Sequence, residues 1–395
     1  MAERTRIILK SGKDQSLRRY HPWVFSGAIK KIQGSAREGD LVELYDNKDE
    51  FLALGHYQEG SIAVRVLSFT QREPDASFWE ERISNAWSLR RTLGLVDDPE
   101  TDVFRWIHAE GDGLPGLIAD YYQGAVVMQM HSVGMYRNME GIVEAMKKVA
   151  GPSLHTIYHK SETTLPDKPG IDERSGYLLG DGGTGEVHES GYRFMVDWTG
   201  GQKTGFFIDQ RENRRLVQSW SRDRRVLNMF GYTGGFSVYA MGGGATLVHS
   251  VDSSGKAIDL TRTNMELNFP GDPRHEAFVE DAFSFMKEIR DRYDLIILDP
   301  PAFAKHQRVL HNALQGYKRL NQVAFEQIAA GGILFTFSCS QAVSRENFRK
   351  SVFAAAANAG RRVRILAQLS QPADHPVSIF HPEGEYLKGL VLEVE

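Results

Sequence analysis

The order of hydrophobic and polar positions divides the chain into three successive rhythms, each predicting a different kind of element. Over residues 5–68, short β-rich runs such as Leu41-Val42-Glu43-Leu44-Tyr45 and Ile62-Ala63-Val64-Arg65-Val66-Leu67 are separated by Gly or Asp-Asn turns, which predicts a small β module. Over 78–93 the apolar residues Phe78, Ile83, Ala86, Trp87, Leu89 and Leu93 return at helical spacing, so a helix should lead out of that module. Extended runs follow at 103–107, 117–121 and 125–131, then a helical stretch at 136–149 and another extended run at 154–158. Strands with helices on one side predict a small α+β domain. The stretch 161–185, rich in Pro, Gly, Asp and Glu, reads as a long irregular connection.

Beyond Gly185 strands alternate with helices, the pattern of a doubly wound parallel sheet. Five buried-type strands are expected at 225–230, 246–251, 276–280, 293–298 and 332–337, and two more at 363–369 and 386–393 complete a seven-stranded sheet. The expected fold is a Rossmann-like α/β domain preceded by a small β-barrel module and a small α+β domain. The expected boundaries are 1–72, 73–185 and 186–395.

Composition adds constraints. A chain of 395 residues is too long for one ordinary core, and 41% hydrophobic with 25% charged residues is the balance of a globular protein. A single cysteine excludes an intrachain disulfide and any zinc site built on two thiolates. No metal is expected. No export or membrane segment is visible, so a cytoplasmic protein is expected. The formal charge is −4, yet it is unevenly spread. Residues 1–38 hold nine cations (Arg4, Arg6, Lys10, Lys13, Arg18, Arg19, Lys30, Lys31 and Arg37) against Glu3, Asp14 and Glu38. A positive end on an acidic chain suits a polyanion. Within it, Tyr20-His21-Pro22-Trp23-Val24-Phe25 places aromatics beside Arg18 and Arg19, a mixture suited to stacking on bases and neutralising phosphates. Candidate RNA contacts are Arg18, Arg19, His21, Trp23 and Lys30, while Phe25 is expected to fill the small core.

The first strand of the sheet runs into Gly231-Tyr232-Thr233-Gly234-Gly235 and then a helix beginning near Phe236. Such a turn lets a ligand approach the backbone at a helix amino terminus. Asp252 ends the second strand 21 positions after Gly231 (252 minus 231), where an acid can bond ribose hydroxyls. Nicotinamide dinucleotides fit that pattern too, but the loop lacks Gly-x-Gly-x-x-Gly, and Asp281 and Asp299 add acids at the ends of strands three and four. An acid-lined crevice suits a cationic sulfonium, S-adenosyl-L-methionine, better than a pyrophosphate. Helix capping is the alternative role for Asp252 and Asp281.

Strand four ends in Asp299-Pro300-Pro301-Ala302-Phe303 and strand five in Ser338-Cys339-Ser340. Neighbouring strands would set both at one crevice, and the prolines leave carbonyls that accept from an amino group. Carbon 5 of a pyrimidine needs a nucleophile at carbon 6 to become reactive, and a thiolate suits that step. Cys339 is the candidate, with Asp299 beside it; simple packing of the cysteine is the alternative.

Several motifs span the chain: 21–27 (His-Pro-Trp-Val-Phe-Ser-Gly), 111–116 (Gly-Asp-Gly-Leu-Pro-Gly), 203–211 (Lys-Thr-Gly-Phe-Phe-Ile-Asp-Gln-Arg) and 230–236 (Phe-Gly-Tyr-Thr-Gly-Gly-Phe). Asp299-Pro300-Pro301-Ala302-Phe303, Phe337-Ser338-Cys339-Ser340, Asp374-His375-Pro376 and Tyr386-Leu387-Lys388-Gly389 complete the set. Over essentially the whole chain these resemble the large-subunit ribosomal RNA cytosine carbon-5 methyltransferases, which join a PUA domain, a central α+β domain and a Rossmann-like methyltransferase domain. The resemblance implies S-adenosyl-L-methionine held at Phe206, Gln210, Asn228, Phe230, Gly231, Tyr232, Thr233, Gly234, Asp252, Ser253, Asp281, Asp299 and Pro300. It also implies a covalent Cys339 adduct and 23S ribosomal RNA as partner, as free RNA or an assembly intermediate, with no membrane. A homodimer is kept as an expectation. A related family carries a second cysteine after the strand-four prolines; here Ala302 and Phe303 stand there, and the base that removes the carbon-5 proton has no assigned residue. A 5-methyluridine enzyme, a purine nitrogen methyltransferase with Cys339 only structural, and a non-catalytic RNA-binding assembly factor remain as rival readings.

Overall fold

The computed structural model describes residues 4–166, 174–304 and 306–395. The chain forms two compact units. One comprises Met1–Gly185, Val196–Phe206 and Ala373–Gly384, the other Glu186–Met195, Phe207–Pro372 and Glu385–Glu395.

The first unit holds two sheets. Arg6–Leu9, Trp23–Phe25, Ile29–Gln33, Leu41–Tyr45, Phe51–Tyr57 and Ile62–Ser68 build a six-stranded sheet. Period-two alternation sends Val42 and Leu44 inward, where they join Ile7, Leu9, Leu17, Val24 and Val64 in a core of their own. Phe25 does not join them; it is 46% exposed. Strand alternation accounts for this: with Val24 pointing into the core, its neighbour Phe25 points to the opposite, outer face.

Helix Ala76–Thr92 starts at Asp75, whose carboxylate accepts from the Phe78 amide at 3.0 Å. Its buried face of Phe78, Trp79, Ile83, Ala86 and Trp87 shares a core with a five-stranded sheet made of Val103–His108, Leu117–Tyr122, Ala125–Met130, Thr156–Lys160 and Ser175–Leu179. The helix expected over 136–149 is two, Val133–Arg137 and Met139–Ala150, jointed at Asn138. The connection expected to be irregular contains the edge strand Ser175–Leu179, antiparallel to Thr156–Lys160. Its side chains are all partly exposed with no alternation, which is why no strand period shows in the sequence. Part of that connection, 167–173, and Glu3 of the basic end lie outside the described residues.

Arg90, on the same helix, is fully buried. Its guanidinium binds Asp112 through two bonds of 2.6 and 2.8 Å and donates to the carbonyls of Arg105 and Asp374, each at 2.6 Å. The 111–116 and 374–376 motifs therefore meet inside this unit. At Gly111 the approach is absolute, since a Cβ there would stand 1.9 Å from the Pro376 carbonyl oxygen.

The second unit carries the seven-stranded sheet. Its strands are β1 (Arg225–Met229), β2 (Leu247–Asp252), β3 (His275–Val279), β4 (Leu295–Leu298), β5 (Gly332–Ser338), β6 (Val363–Leu369) and β7 (Lys388–Val394). They lie in the order β3-β2-β1-β4-β5-β7-β6. All pairs are parallel except those of β7, which runs antiparallel to β5 and β6. All four residues of β4 and all seven of β5 are buried, as a parallel strand covered on both faces requires. Helices α1 (Arg211–Trp220), α2 (Gly235–Gly242), α3 (Gly255–Asn268), α4 (Leu310–Gln327) and α5 (Arg345–Ala359) flank the strands in sequence. In α4 the buried residues Ala313, Tyr317, Leu320, Asn321, Ala324 and Phe325 repeat at three- and four-residue steps. Strand order reverses between β1 and β4, so a crevice opens at their carboxyl ends. Among the described residues no helix is long and apolar enough to cross a membrane.

Candidate active site

The loop after β1 occupies conformations that side chains seldom adopt. Phe230 and Tyr232 have φ of 59° and 45°, and Gly234 has 78°. Such backbone persists only where its surroundings hold it. Here α3 does so: Thr261 donates its hydroxyl to the Tyr232 carbonyl at 2.8 Å, and Asn264 donates its amide to the Thr233 carbonyl at 2.9 Å. A Cβ at Gly234 would lie 2.7 Å from the Thr261 methyl, so that position needs glycine for both φ and space.

Asp252, at the end of β2, accepts from the Tyr232 amide at 3.0 Å with one oxygen and from the Ser254 amide at 2.9 Å with the other. It is therefore not the cap of α3, a role that belongs to Ser254. Asp281 does cap, accepting from the Ser284 amide at 3.0 Å at the start of the short helix Ala282–Phe285; the carboxylate is exposed and keeps acceptor capacity for a ligand. Ser253 is exposed beside Asp252. Asn228 is fully buried under the loop; its amide donates to Ser237 at 2.9 Å, while its Oδ1 has no partner among the described residues. That acceptor, the tight glycine turn, the exposed Asp281 and the partly exposed Asp252 fit a cationic nucleoside ligand without phosphates.

Ahead of α1, Gln210 donates to the Asp299 carboxylate at 3.0 Å and accepts from Asn213 at 2.6 Å. Asp209 accepts from the Tyr386 hydroxyl at 2.7 Å, and the Phe207 ring meets Tyr232 edge-on at 5.0 Å. This segment is clamped from below by a residue pair that sequence reasoning missed. Arg214, on α1, binds the Glu189 carboxylate through two bonds of 2.7 Å and donates to the Phe207 carbonyl at 2.9 Å. Tyr239, on α2, adds a hydroxyl bond to Glu189 at 3.0 Å. Phe206 belongs to the other unit, where it is buried.

β4 and β5 are hydrogen-bonded neighbours. At their ends Cys339, half-buried, directs its Sγ at the Pro300 carbonyl at 4.0 Å. Its flanks are fixed. The Ser340 hydroxyl accepts from the Ala304 amide at 3.3 Å and shares a hydrogen bond with the Tyr317 hydroxyl at 3.0 Å, and Ser338 is fully buried. Thiol, Pro300 carbonyl and the half-exposed Asp299 thus share one edge of the crevice.

A family model described as S-adenosylmethionine-dependent methyltransferase matches residues 105–379. The chain belongs to that family. A PUA-like domain model matches residues 7–69 of this methyltransferase. Relatives named ribosomal RNA large subunit methyltransferase I include those of Alteromonas mediterranea, 40% identical over 394 residues, and Aeromonas salmonicida, 40% identical over 393, each match covering 98% of both chains. Among solved structures, a Streptococcus mutans chain assigned to the same class superposes with a TM-score of 0.85 at 22% identity, covering 98% of this chain and 100% of that one. A methyltransferase-class chain solved with S-adenosylhomocysteine gives 0.86 at 23%, with the same coverage. The methyltransferase uses S-adenosyl-L-methionine as cofactor.

In the methyltransferase, Asp252→Asn is expected to weaken S-adenosyl-L-methionine binding by ~1.5–3 kcal/mol, because a charge-assisted acceptor is lost while shape is kept. Calorimetry giving equal affinities for variant and parent would remove Asp252 from the cofactor site.

The candidate RNA residues of the PUA-like domain separate into two groups. Arg18 is held by Asp14 at 2.6 Å, Asp46 at 2.7 Å and Glu50 at 3.0 Å. Trp23 is partly buried, donating its ring N–H to Glu110 at 2.7 Å, and its ring lies 4.3 Å from that of His381. His21 is also partly buried, with Nε2 3.4 Å from Glu383. Arg19 and Lys30 are exposed, as are Tyr20 at 55% and Phe25. Tyr20 contacts Phe380, another exposed ring, at 5.4 Å. Phe380 had no signal in the sequence, since its partners lie some 360 positions away in the chain (380 minus 20).

Proposed function

We propose that this methyltransferase modifies carbon 5 of a cytosine in large-subunit ribosomal RNA through a covalent adduct at Cys339. The single observation that carries the chemistry is the thiol set against the Pro300 carbonyl beside Asp299. The substrate class is supported by relatives that match nearly end to end and are named for ribosomal RNA of the large subunit. We read residues 1–72, 73–185 and 186–395 as the RNA-binding, central and catalytic domains.

S-adenosyl-L-methionine, when bound, supplies an electrophilic methyl group. Gln210, Asn228, the 230–234 loop, Asp252, Ser253, Asp281, Asp299 and Pro300 are the residues assigned to hold it. The thiolate of Cys339 adds to carbon 6, forming an S–C bond and making carbon 5 electron-rich. Once carbon 5 carries its new methyl group, its proton passes to water, the C–H electron pair re-forms the ring double bond, and the S–C bond breaks to return the thiolate. The carbonyl of Pro300 and the carboxylate of Asp299 are acceptors, which favours the amino group of cytosine over the carbonyl of uracil. The target base must first be turned out of its stack.

Mapping 5-methylcytosine in 23S ribosomal RNA from cells with and without this protein tests the product. One site should vanish in its absence and return when the gene does. An unchanged 5-methylcytosine map, or loss of a methylated purine or uridine instead, would overturn the reading.

Affinity for RNA should depend on salt through the exposed cations. Arg19→Ala and Lys30→Ala are each expected to shallow the slope of log affinity against log salt by ~0.7–0.9, whereas Arg18→Ala, already neutralised by three carboxylates, should not. Filter binding across a salt series decides, and three identical slopes would remove the amino-terminal face from RNA contact.

A further inference from the structure

We propose that the Lys388 ammonium is the group that poises Cys339 as a thiolate. This rests on Cys339 as nucleophile, and it gives a task to a residue that the mechanism above leaves unused.

Lys388 opens β7 directly opposite Ser338 of β5 in antiparallel register, and only 3% of it is exposed. Its Nζ donates to the carbonyl of Ser340, the residue after Cys339, and to that of Tyr386, both at 2.6 Å. The nitrogen is therefore anchored one peptide from the cysteine, in place before any substrate arrives. Among the described residues no carboxylate forms an ion pair with it; the nearby Glu385 is taken by Arg345. A buried ammonium without a counter-anion is costly, and the Cys339 thiol, one residue before the carbonyl that anchors it, is an ionisable neighbour whose charge acts on it.

Burial lowers the Lys388 pKa to about 8, opposed mainly by the charge of Cys339 and more weakly by Glu385, while Arg345 adds to the lowering. Tyr317, from α4, reaches the Ser340 hydroxyl at this corner, and the Pro300 carbonyl, after β4, faces the thiol. Lys388 thus stays mostly protonated at neutral pH. When Cys339 ionises, its proton passes to water and the ammonium remains opposite the new thiolate. An opposite charge within ~4–6 Å lowers a pKa by ~1–3 units, which raises the thiolate fraction at neutral pH from a few per cent toward a majority. Lys388 touches neither base nor cofactor in this scheme, so it is a positioning residue.

The test uses the full-length protein without RNA or cofactor. Because the chain has one cysteine, the rate of iodoacetamide alkylation against pH reports Cys339 alone. The parent should show a midpoint at least about one unit below the ~8.5 of an ordinary thiol. Lys388→Met should raise that midpoint by about one unit or more, and Lys388→Arg should largely retain the parent value. A Lys388→Met protein with the parent's circular dichroism and an unmoved midpoint overturns the proposal. So does a parent midpoint at or above ~8.5, a result that needs no variant to fold. Methylation by Cys339→Ser is measured alongside. An inactive Cys339→Ser with unmoved midpoints removes Lys388 alone and leaves the nucleophile. An active Cys339→Ser with shifted midpoints sustains the charge pair and removes the nucleophile it was assigned to serve.

Discussion

Replacing Cys339 with serine is expected to lower methylation of ribosomal RNA at least about a thousandfold, equivalent to ~4 kcal/mol of barrier. An alcohol is scarcely ionised at neutral pH, and none of the surrounding groups would change that, since a neighbouring cation shifts a pKa by only a few units. Cofactor affinity should stay near the parent's, because serine keeps the side chain's size beside Pro300, and Asp252, Asn228 and the 230–234 loop lie at β1 and β2. The covalent step has its own signature. RNA with 5-fluorocytosine at the target, given S-adenosyl-L-methionine, cannot lose the carbon-5 substituent and should remain attached to the enzyme after denaturation. The adduct should map to Cys339 by mass spectrometry. A serine variant turning over near the parent's rate, or an adduct on another residue, would falsify the mechanism even with the product confirmed.

Glu189→Ala is expected to cost ~3–5 kcal/mol of stability, the second-largest effect. Glu189 is fully buried and Arg214 nearly so, with Tyr239 also bonded to the carboxylate. Removing the acid leaves the guanidinium and the phenol buried without their shared acceptor. The damage should reach the site as well. Arg214 also holds the Phe207 carbonyl, so the segment bearing Asp209 and Gln210 loses an anchor, and cofactor affinity should fall. Urea unfolding of parent and variant measures the first effect, and calorimetry with S-adenosyl-L-methionine the second. A loss of stability under about 1 kcal/mol, the size seen for exposed ion pairs, would show that the pair is not held as tightly as its burial implies.

The catalytic sheet was legible because its strands are apolar on both faces. Leu295–Leu298 and Gly332–Ser338 could only be central strands, and the loops at their ends carried Asp299 and Cys339 in plain view. Helix α1 was not legible. Its inward face is Arg211, Asn213, Arg214 and Val217, three polar residues that only the fold reveals as buried, so no apolar stripe announced it. Glu189 was invisible for the same reason. Phe25 failed differently: its residue type favours the interior, but its neighbour Val24 takes the inward place on the strand, so alternation leaves Phe25 outside. The edge strand Ser175–Leu179 was hidden by lacking any buried face. Lys388 stood in a quoted motif, yet its depth and its bond to the Ser340 carbonyl depend on a strand pairing across 48 positions.

The path of the chain has a consequence for how the protein is made. Residues Val196–Phe206 and Ala373–Gly384 pack with the amino-terminal unit although the intervening sequence builds the other one. Arg90 waits for the carbonyl of Asp374, 284 positions later. On a ribosome that emits the chain from its amino terminus, the first unit cannot bury Arg90 with all its bonds until Asp374 has emerged. The first unit waits for Asp374 and the catalytic sheet for β7, so a chain released before Asp374 should leave both units unfinished together.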